Sequence, residues 1–197
     1  MAEEPTDRFL NPLKVCLGVE KALSDRAILV ADGGDFVATT SYIVRPPNPL
    51  SWLDPGVFGT LGVGAGFAMG AKLCRPESDV WLIWGDGSAG YSIMEYDTFV
   101  RHNIPIIAVV GNDACWTQIH REQVVMFKDD SGCMLSFNDY EKVAEALGAK
   151  GILLKETDQI DPVFSEARQV VSGPNARPVL VNALIGKTDF RKGSISM

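Results

Sequence analysis

The chain has 197 residues, 46% of them hydrophobic and 22% charged, which is enough apolar sequence to build one globular core. A net charge of −7 and an isoelectric point near 4.8 argue against the Lys- and Arg-rich surfaces that bind nucleic acid or anionic membranes. The four cysteines match neither zinc nor CxxC spacing, so we expect free thiols, with Cys74 and Cys115 in or beside core elements.

Hydrophobic patterns predict helices that alternate with short buried strands. The predicted helices span 12–24, a glycine-rich stretch ending near 73, 90–101, a segment from 115 or 116 towards 122, 138–147, and a segment from 161 onwards. The predicted strands span 27–31, 80–84, 104–110, 151–154 and 179–184, and we expect a long loop over 42–58 and irregular structure over 123–137. Asn138 with Glu141 resembles a capping box.

This order is typical of an α/β fold, a doubly wound parallel sheet of about six strands with helices on both faces. We expect residues 1–11 to be a linker, 12–185 to form one domain, and 186–197 to be a polar tail. The sequence contains no predicted signal peptide or membrane span, so we expect no membrane contact by this domain.

Two oxygen-rich turns follow neighbouring apolar runs. Gly85-Asp86-Gly87-Ser88 ends the first run, and Asn112-Asp113 ends the second. The carboxyl ends of parallel strands form the ligand edge of such a sheet, so these turns should lie side by side. Their oxygens suit Mg²⁺, and the glycines with a helix N-terminus suit a phosphate. Asp86 alone is more typical of a helix N-cap than of a metal ligand.

Other nucleotide motifs are not met. A GxGxxG fingerprint fails because Phe67 stands at the third glycine position, and no GK[ST] sequence follows a glycine-rich run at P-loop spacing. Glycines recur every four residues at Gly62, Gly66 and Gly70, which on a helix makes one bare face. That face could admit a ligand or a neighbouring backbone, or it could serve close packing on the sheet.

The stretch from Met69 to Ser88 resembles the signature of thiamine-diphosphate (ThDP) enzymes. The matching positions, in chain order, are Met69, Gly70, Pro76, Trp81, Ile83, Gly85, Asp86, Gly87 and Ser88. Asn112 and Asp113 stand where the family places its second metal-binding pair. Most members have Asn-Asn there, so the Asp at 113 leaves open which of the two residues is the ligand.

This resemblance implies a site for ThDP and Mg²⁺. The metal would be held by Asp86, by Asn112 or Asp113, and by the backbone carbonyl of Cys115. Leu61 would hold the cofactor in its bent shape, and the carbonyl of Gly59 would accept its amino group. The implied cofactor-binding residues are Gly34, Asp35, Phe36, Gly59, Thr60, Leu61, Gly85, Asp86, Gly87, Ser88, Asn112, Asp113, Cys115 and Trp116.

Within the family, the segments GTLGVGAGFAMGAKL, GNDACWTQI and GKTDFRKGSIS are similar to acetolactate-synthase-like enzymes and 2-hydroxyacyl-CoA lyases. The implied reaction cleaves a 2-hydroxyacyl-CoA to formyl-CoA and an aldehyde shortened by one carbon. A carboligase of the acetolactate-synthase type and a non-catalytic cofactor-binding domain are the alternatives. Gln118 and His120 could face the substrate, although a solvated helix surface would also explain them.

The resemblance also implies that this domain works within a larger protein. The glutamate that activates ThDP is expected in an N-terminal pyrimidine-binding domain outside this chain, so no catalytic residue is expected here. A middle domain is also expected outside the chain. The isolated domain is therefore expected to be inactive, and the full protein to be a homodimer or tetramer. An N-terminal segment would associate that protein with the endoplasmic reticulum membrane.

Overall fold

The computed structural model describes residues 1–194, which fold into one six-stranded parallel sheet covered by helices on both faces. The strands are β1 (Ile28–Ala31), β2 (Trp52–Leu53), β3 (Val80–Gly85), β4 (Ile107–Asn112), β5 (Lys150–Leu154) and β6 (Val179–Leu184). The helices are α1 (Pro12–Ala22), α2 (Asp35–Ile43), α3 (Gly64–Cys74), α4 (Asp86–Ser92), α5 (Tyr96–Arg101), α6 (Thr117–Phe127), α7 (Tyr140–Ala146) and α8 (Ile160–Ser172). The predicted fold class is confirmed.

The strand order β2-β1-β3-β4-β6-β5 places the change of direction in the sheet between β1 and β3. From β1 the chain moves outward to β2 and then crosses back to β3. In open α/β sheets the ligand crevice lies outside the carboxyl ends of the strands at such a switch point. The segments that emerge there begin at Asp32 after β1 and at Asp86 after β3.

Alternation along β3 builds a separate core on each face of the sheet. Trp81 and Ile83 pack with α1, α2 and α8, and the Trp81 ring meets Phe164 edge to face at 5.8 Å. Leu82 and Trp84 point the other way, towards α3, α4, α5 and α7. Every residue of β3 and β4 is buried, so the apolar runs at the centre of the sheet fix the positions of both site turns.

The structure corrects several predicted elements near the site. The segment after β1 is helix α2, and β2 with a short 3₁₀ turn at Gly56–Phe58 interrupts the predicted loop over 42–58. The predicted helix 90–101 begins already at Asp86 and is broken by a 3₁₀ turn at Ile93–Glu95. β4 starts later than predicted and includes Asn112, while α6 extends to Phe127.

The capping-box prediction is wrong. Helix α7 begins at Tyr140 with Asp139 at the N-cap, and Asp139 makes no side-chain capping bond. The Glu141 side chain is buried and instead accepts a hydrogen bond from Asn182 Nδ2 at 2.7 Å. The Glu141 carboxylate is therefore bonded to an amide 41 residues away in sequence and does not take part in a capping box.

The start of α1 is joined to the end of β6, and the cysteines carry free thiols. Within the predicted linker, Leu10 is buried and forms a parallel bridge with Ile185, which ties the start of α1 to the end of β6. All four cysteines are free, as predicted, and Cys74 is exposed.

Gly66 and Gly70 face outward on α3, and a Cβ at either would meet nothing within 4 Å apart from its chain neighbours and its own helix backbone. Packing on the sheet does not explain these two glycines.

Candidate cofactor site

A cavity of about 470 Å³ opens at the switch point between β1 and β3. Its floor consists of the turns that follow β1, β3 and β4, and one wall is the first turn of α6. The loop from Asp54 to Leu61 contributes the opposite side. This volume lies within the ordinary range for small-molecule and cofactor sites, about 300–1,000 Å³.

Asp86 lies at the floor of the cavity, on the first residue of α4. Gly85 occupies the N-cap position, so the carboxylate of Asp86 is not the helix cap. Its Oδ1 accepts from Gly87 N at 2.8 Å and its Oδ2 accepts from Cys115 N at 3.2 Å. Burial, followed by the nearby charge of Asp113, raises the pKa of Asp86 from 3.8 to about 7.

Asp113 is the second acid of the cavity. Its carboxylate lines the cavity and accepts a hydrogen bond from Thr117 Oγ1 on α6. Burial raises its pKa from 3.8 to about 6, with a further contribution from Asp35, while the Thr117 bond and Lys187 oppose the shift. A buried acid beside a partly buried one, both with raised pKa values, is an environment that a divalent cation would stabilise.

Asn112 lies outside this cavity, in a polar network on the interior side of β4. Its Nδ2 donates to Asn138 O and to Asn182 Oδ1, both at 3.2 Å, and its Oδ1 accepts from Ala114 N at 3.3 Å. The side chain is completely buried. The two neighbouring residues therefore differ in environment. Asp113 lines the cavity, and Asn112 stabilises the turn through hydrogen bonds inside the protein.

Two helix N-termini point at the cavity. Helix α2 starts after Gly34, whose φ of 107° lies in the region that glycine tolerates best, and α4 starts after Gly85. A Cβ on Gly85 would come within 2.9 Å of the Gly33 carbonyl, so the two turns can approach only because this position is glycine. Ser88 Oγ adds a cross-link to Gly33 O at 3.0 Å. Free N–H groups at helix starts favour phosphate oxygens.

Asp35, predicted to cradle the diphosphate, is engaged in an ion pair. Its Oδ1 accepts from Arg121 Nη2 of α6 at 2.7 Å, and both side chains are largely shielded from solvent. The pair joins the start of α2 to α6 across the cavity. Asp35 lines the cavity next to its own helix N-terminus, where its backbone can contribute while its charge is neutralised.

The glycine-rich loop before α3 is held by Asp32, which sequence reasoning passed over. Asp32 Oδ1 accepts from Gly62 N at 2.9 Å, and Oδ2 accepts from Gly64 N at 2.9 Å and from Trp84 Nε1 at 3.0 Å. Leu61 of the same loop lines the cavity, and its role as the cofactor wedge stays a prediction. The relevant signal in the sequence was an acid directly after a buried strand.

Most residues implied by the resemblance come together in this cavity. Its lining includes Gly34, Asp35, Phe36, Gly59, Leu61, Gly85, Asp86, Gly87, Ser88, Asp113, Cys115, Trp116 and Gln118. Thr60, Asn112 and His120 are not part of the lining. The lining also contains residues that the sequence did not suggest, namely Ala31, Asp32, Gly33, Val37, Ala38, Ser41, Trp52, Asp54, Pro55, Gly56, Gly111, Thr117 and Ile119.

The donor set fits a metal that is bound partly by its ligand. Across residues 1–194, no three His, Cys, Asp or Glu side chains form a self-sufficient metal cage. Asp86 and Asp113 supply two carboxylates, and Cys115 lines the same cavity. Mg²⁺ is commonly bound in this way, through one or two carboxylates, phosphate oxygens and water.

Comparisons with known proteins agree with this geometry. Residues 32–183 match the family described as thiamine pyrophosphate enzyme, C-terminal TPP binding domain, thiamine pyrophosphate being another name for ThDP. The 2-hydroxyacyl-CoA lyase 2 of Danio rerio is 55% identical over 198 residues, which cover 100% of this chain and 32% of that protein. A probable acetolactate synthase of Mycobacterium bovis is 36% identical over 185 residues, 93% of this chain and 33% of that protein.

A solved structure supports the fold. The ThDP-dependent 4-hydroxybenzoylformate decarboxylase of Rhodococcus jostii superposes with a TM-score of 0.84 over 94% of this chain and 34% of that one, at 21% identity. The chain thus spans about a third of the length of the relatives it matches. None of the helices described over residues 1–194 is both long and apolar enough to cross a membrane.

The family match covers the cavity-forming part of the chain, from Asp32 after β1 to Ala183 in β6. The predicted resemblance is confirmed, and so is ThDP, with its usual partner metal Mg²⁺, as the cofactor of this kind of domain. The chain belongs to the C-terminal TPP-binding domain family of thiamine pyrophosphate enzymes.

Proposed function

We propose that the cavity between β1 and β3 binds the diphosphate of ThDP through Mg²⁺, with Asp86 and Asp113 as carboxylate ligands and the backbone carbonyl of Cys115 as a third protein ligand. The observation that carries this proposal is the pair of adjacent acids with raised pKa values, Asp86 buried and Asp113 partly buried, beside two helix N-termini. Protonated acids relieve the repulsion in the free protein, and a divalent cation replaces those protons when the cofactor binds.

The remaining lining residues have roles that follow from their positions. Gly34 and Gly85 let the backbone approach the diphosphate, and the helix starts that follow them supply N–H donors. Leu61 and the Gly59 carbonyl would hold the thiamine half, beside the ring of Trp116. When bound, ThDP supplies a thiazolium carbon that serves as nucleophile and electron sink for cleavage of a carbon–carbon bond.

For the whole protein we propose a carbon–carbon lyase that cleaves a 2-hydroxyacyl-CoA to formyl-CoA and an aldehyde one carbon shorter. The support is the 55% identity to proteins named 2-hydroxyacyl-CoA lyase 2 over the full length of this chain. An acetolactate-synthase-type carboligase is the second candidate, supported by the 36% identity to a probable acetolactate synthase. A domain that binds the cofactor without catalysis is the third.

The proposal extends to partners outside this chain. The activating glutamate would come from a pyrimidine-binding domain, and the protein would be a homodimer or tetramer in which that domain meets the cavity mouth. Large apolar side chains are exposed near that mouth. Val57 and Phe58 lie between the lining residues Gly56 and Gly59, and both are more than 85% exposed. Light scattering of the full-length protein tests the oligomer, and membrane fractionation tests the endoplasmic reticulum location.

Calorimetry of the full-length protein tests the binding site. We expect ThDP to bind in the presence of Mg²⁺ and Asp86→Ala to abolish that binding, because the variant removes one of two carboxylate ligands. The matched control is Asp97→Ala, which removes a half-exposed acid on α5 that pairs with Arg101. Unchanged ThDP affinity in Asp86→Ala would disprove the proposed metal site.

A substrate comparison tests the reaction. The full-length protein with ThDP and Mg²⁺ should release formyl-CoA from a 2-hydroxyacyl-CoA and convert pyruvate much more slowly. The reverse preference would favour the carboligase, and binding of ThDP without turnover of either substrate would favour the non-catalytic domain. The 197-residue chain alone should show no turnover, since the activating glutamate is expected elsewhere, so robust lyase activity of this chain would contradict the proposal.

A further inference from the structure

Asp32 is a buried acid at the ligand edge of the sheet that has no place in the metal site described above. It directly follows β1, only 2% of its surface is exposed, and its backbone N–H donates to Ile83 O in β3 at 3.1 Å. Its carboxylate accepts three N–H groups, two from the glycine-rich loop and one from the Trp84 indole. The Trp84 bond ties the acid to the adjacent strand, so the loop is attached to β3, a strand that is buried throughout.

The loop and the strand end also fit each other sterically. A Cβ added to Gly33 would lie 2.0 Å from Leu61 Cδ2, so the Leu61 side chain occupies the space that this glycine leaves empty. A Cβ on Gly64 would lie 2.8 Å from Asp32 Oδ2 and from Leu82 Cδ1. Asp32 therefore fixes the backbone just after Leu61, and Gly33 fixes where the Leu61 side chain can go.

We propose that Asp32, together with Gly33, is a positioning residue for the thiamine half of the cofactor. The inference rests on the proposed function, in which Leu61 contacts that half. Asp32 would act through the loop, by holding Leu61 and the Gly59 carbonyl in the positions at which they contact the two rings of the cofactor. The diphosphate end, bound by Asp86 and Asp113, would be independent of it.

The contacts of Asp32 distinguish this role from that of a metal ligand. Its oxygens accept N–H groups of the loop and of Trp84, whereas the donors to Asp86 are Gly87 N and Cys115 N, in the turns that carry the metal-site residues. A general role in stability alone would weaken every part of the site equally. A positioning role is selective, because only ligands that contain the thiamine rings should lose affinity.

The test compares two ligands in the full-length Asp32→Asn variant. An asparagine keeps the shape, but its amide N–H groups would oppose one set of loop or indole N–H donors. We expect ThDP with Mg²⁺ to bind about ten- to hundredfold more weakly, as the loss of a charge-assisted bond predicts. Inorganic diphosphate with Mg²⁺ should bind within about twofold of wild type. In Asp86→Ala, both ligands should be lost.

Equal weakening of the two ligands in Asp32→Asn, or unchanged affinity for ThDP, would overturn the inference. Failure of the wild-type protein to bind either ligand would instead remove the proposed function. If Asp32→Asn does not fold, Gly33→Ala provides the second variant, since its Cβ would push Leu61 aside. It should show the same selective loss of ThDP, with Gly90→Ala in α4 as the control, because a Cβ on this exposed glycine outside the cavity lining would meet nothing within 4 Å apart from its chain neighbours and its own helix backbone.

Discussion

Two aspartates, Asp32 and Asp86, occupy equivalent positions in the fold and do different things. Each directly follows one of the paired parallel strands β1 and β3, and each is almost completely buried. Asp32 accepts three N–H groups from a loop and an indole. Asp86 accepts backbone N–H groups of two turns and lies close enough to Asp113 for the charge of that acid to raise its pKa.

The neighbours, rather than the residue type or the position, determine the role. Both acids accept N–H groups, but the donors to Asp32 belong to the glycine-rich loop and to the Trp84 indole, so Asp32 fixes that loop. An acid held beside a second acid in a cavity is stabilised by a cation. The same contrast recurs between Asn112, enclosed in an interior network, and Asp113, which faces the cavity.

The largest effect should come from pH, through the acid pair. The pKa values of Asp86 and Asp113 are raised to about 7 and about 6, so both acids must release protons before Mg²⁺ binds. We expect the affinity for ThDP with Mg²⁺ to increase about a thousandfold between about pH 5 and 8. Calorimetry across this range measures it, with Mg²⁺ binding by free ThDP subtracted at each pH.

The stability of the ligand-free protein should depend on pH in the opposite direction to ThDP binding. Folding holds both acids in the protonated form above their unfolded pKa of 3.8, so their contribution to stability is greatest below that value. This contribution to stability decreases as the pH rises through about 6 and 7.

Binding of ThDP with Mg²⁺ that was independent of pH, or strongest at pH 5, would show that these carboxylates do not ligate the metal.

The second prediction compares the stability of two variants without ligand. Asp32→Asn should lower the free energy of unfolding by about 3 kcal/mol, since a buried acceptor of three N–H groups is replaced by one that must oppose some of them. The thermal midpoint of the ligand-free protein should decrease by about 6–12 °C. Asp86→Asn at pH 8 should cause a much smaller decrease, because the cost of opposing one N–H donor is offset by removing a buried charge beside another acid. Equal losses in the two variants would end the distinction between them.

Much of the fold and part of the site could be predicted from local sequence. The central strands are continuous apolar runs that stop at glycine and acid, so their positions and the Asp86 turn follow from burial and turn chemistry. Helix α2 was missed because its sequence, DFVATTSYI, is rich in β-branched residues and resembles an extended segment. Strand β2 has only two residues, so no periodicity could reveal it.

The remaining features depend on contacts between distant parts of the chain. The bonds from Asp32 reach 30, 32 and 52 residues along the sequence, so no local motif marks it as the residue that holds the loop. The family pattern left Asn112 and Asp113 as alternatives. Only the partners of Asn112, 26 and 70 residues away, show that its side chain points into the protein.

The third prediction tests this neighbouring pair. Asp113→Ala should weaken binding of ThDP with Mg²⁺ by about ten- to hundredfold, the loss expected when a metal site loses a ligand or its support. Asn112→Ala should change that affinity by less than about threefold and should instead reduce stability by about 1–2 kcal/mol, through its two lost donors. Titration calorimetry and thermal unfolding of both variants give the two numbers. A larger affinity loss in Asn112→Ala would make Asn112 the metal ligand.

The smallest effect concerns the substrate side of α6, where Gln118 lines the cavity and His120 does not. Both were candidates for substrate contact, and they lie two residues apart, which places them on different sides of the helix. Gln118→Ala in the full-length enzyme should lower kcat/KM for the 2-hydroxyacyl-CoA by about fivefold, the effect of one lost hydrogen bond, with ThDP affinity unchanged. His120→Ala should lower it by less than about twofold. Steady-state kinetics of the two variants decide the matter, and a greater loss in His120→Ala would mean that the substrate approaches from the other side of α6.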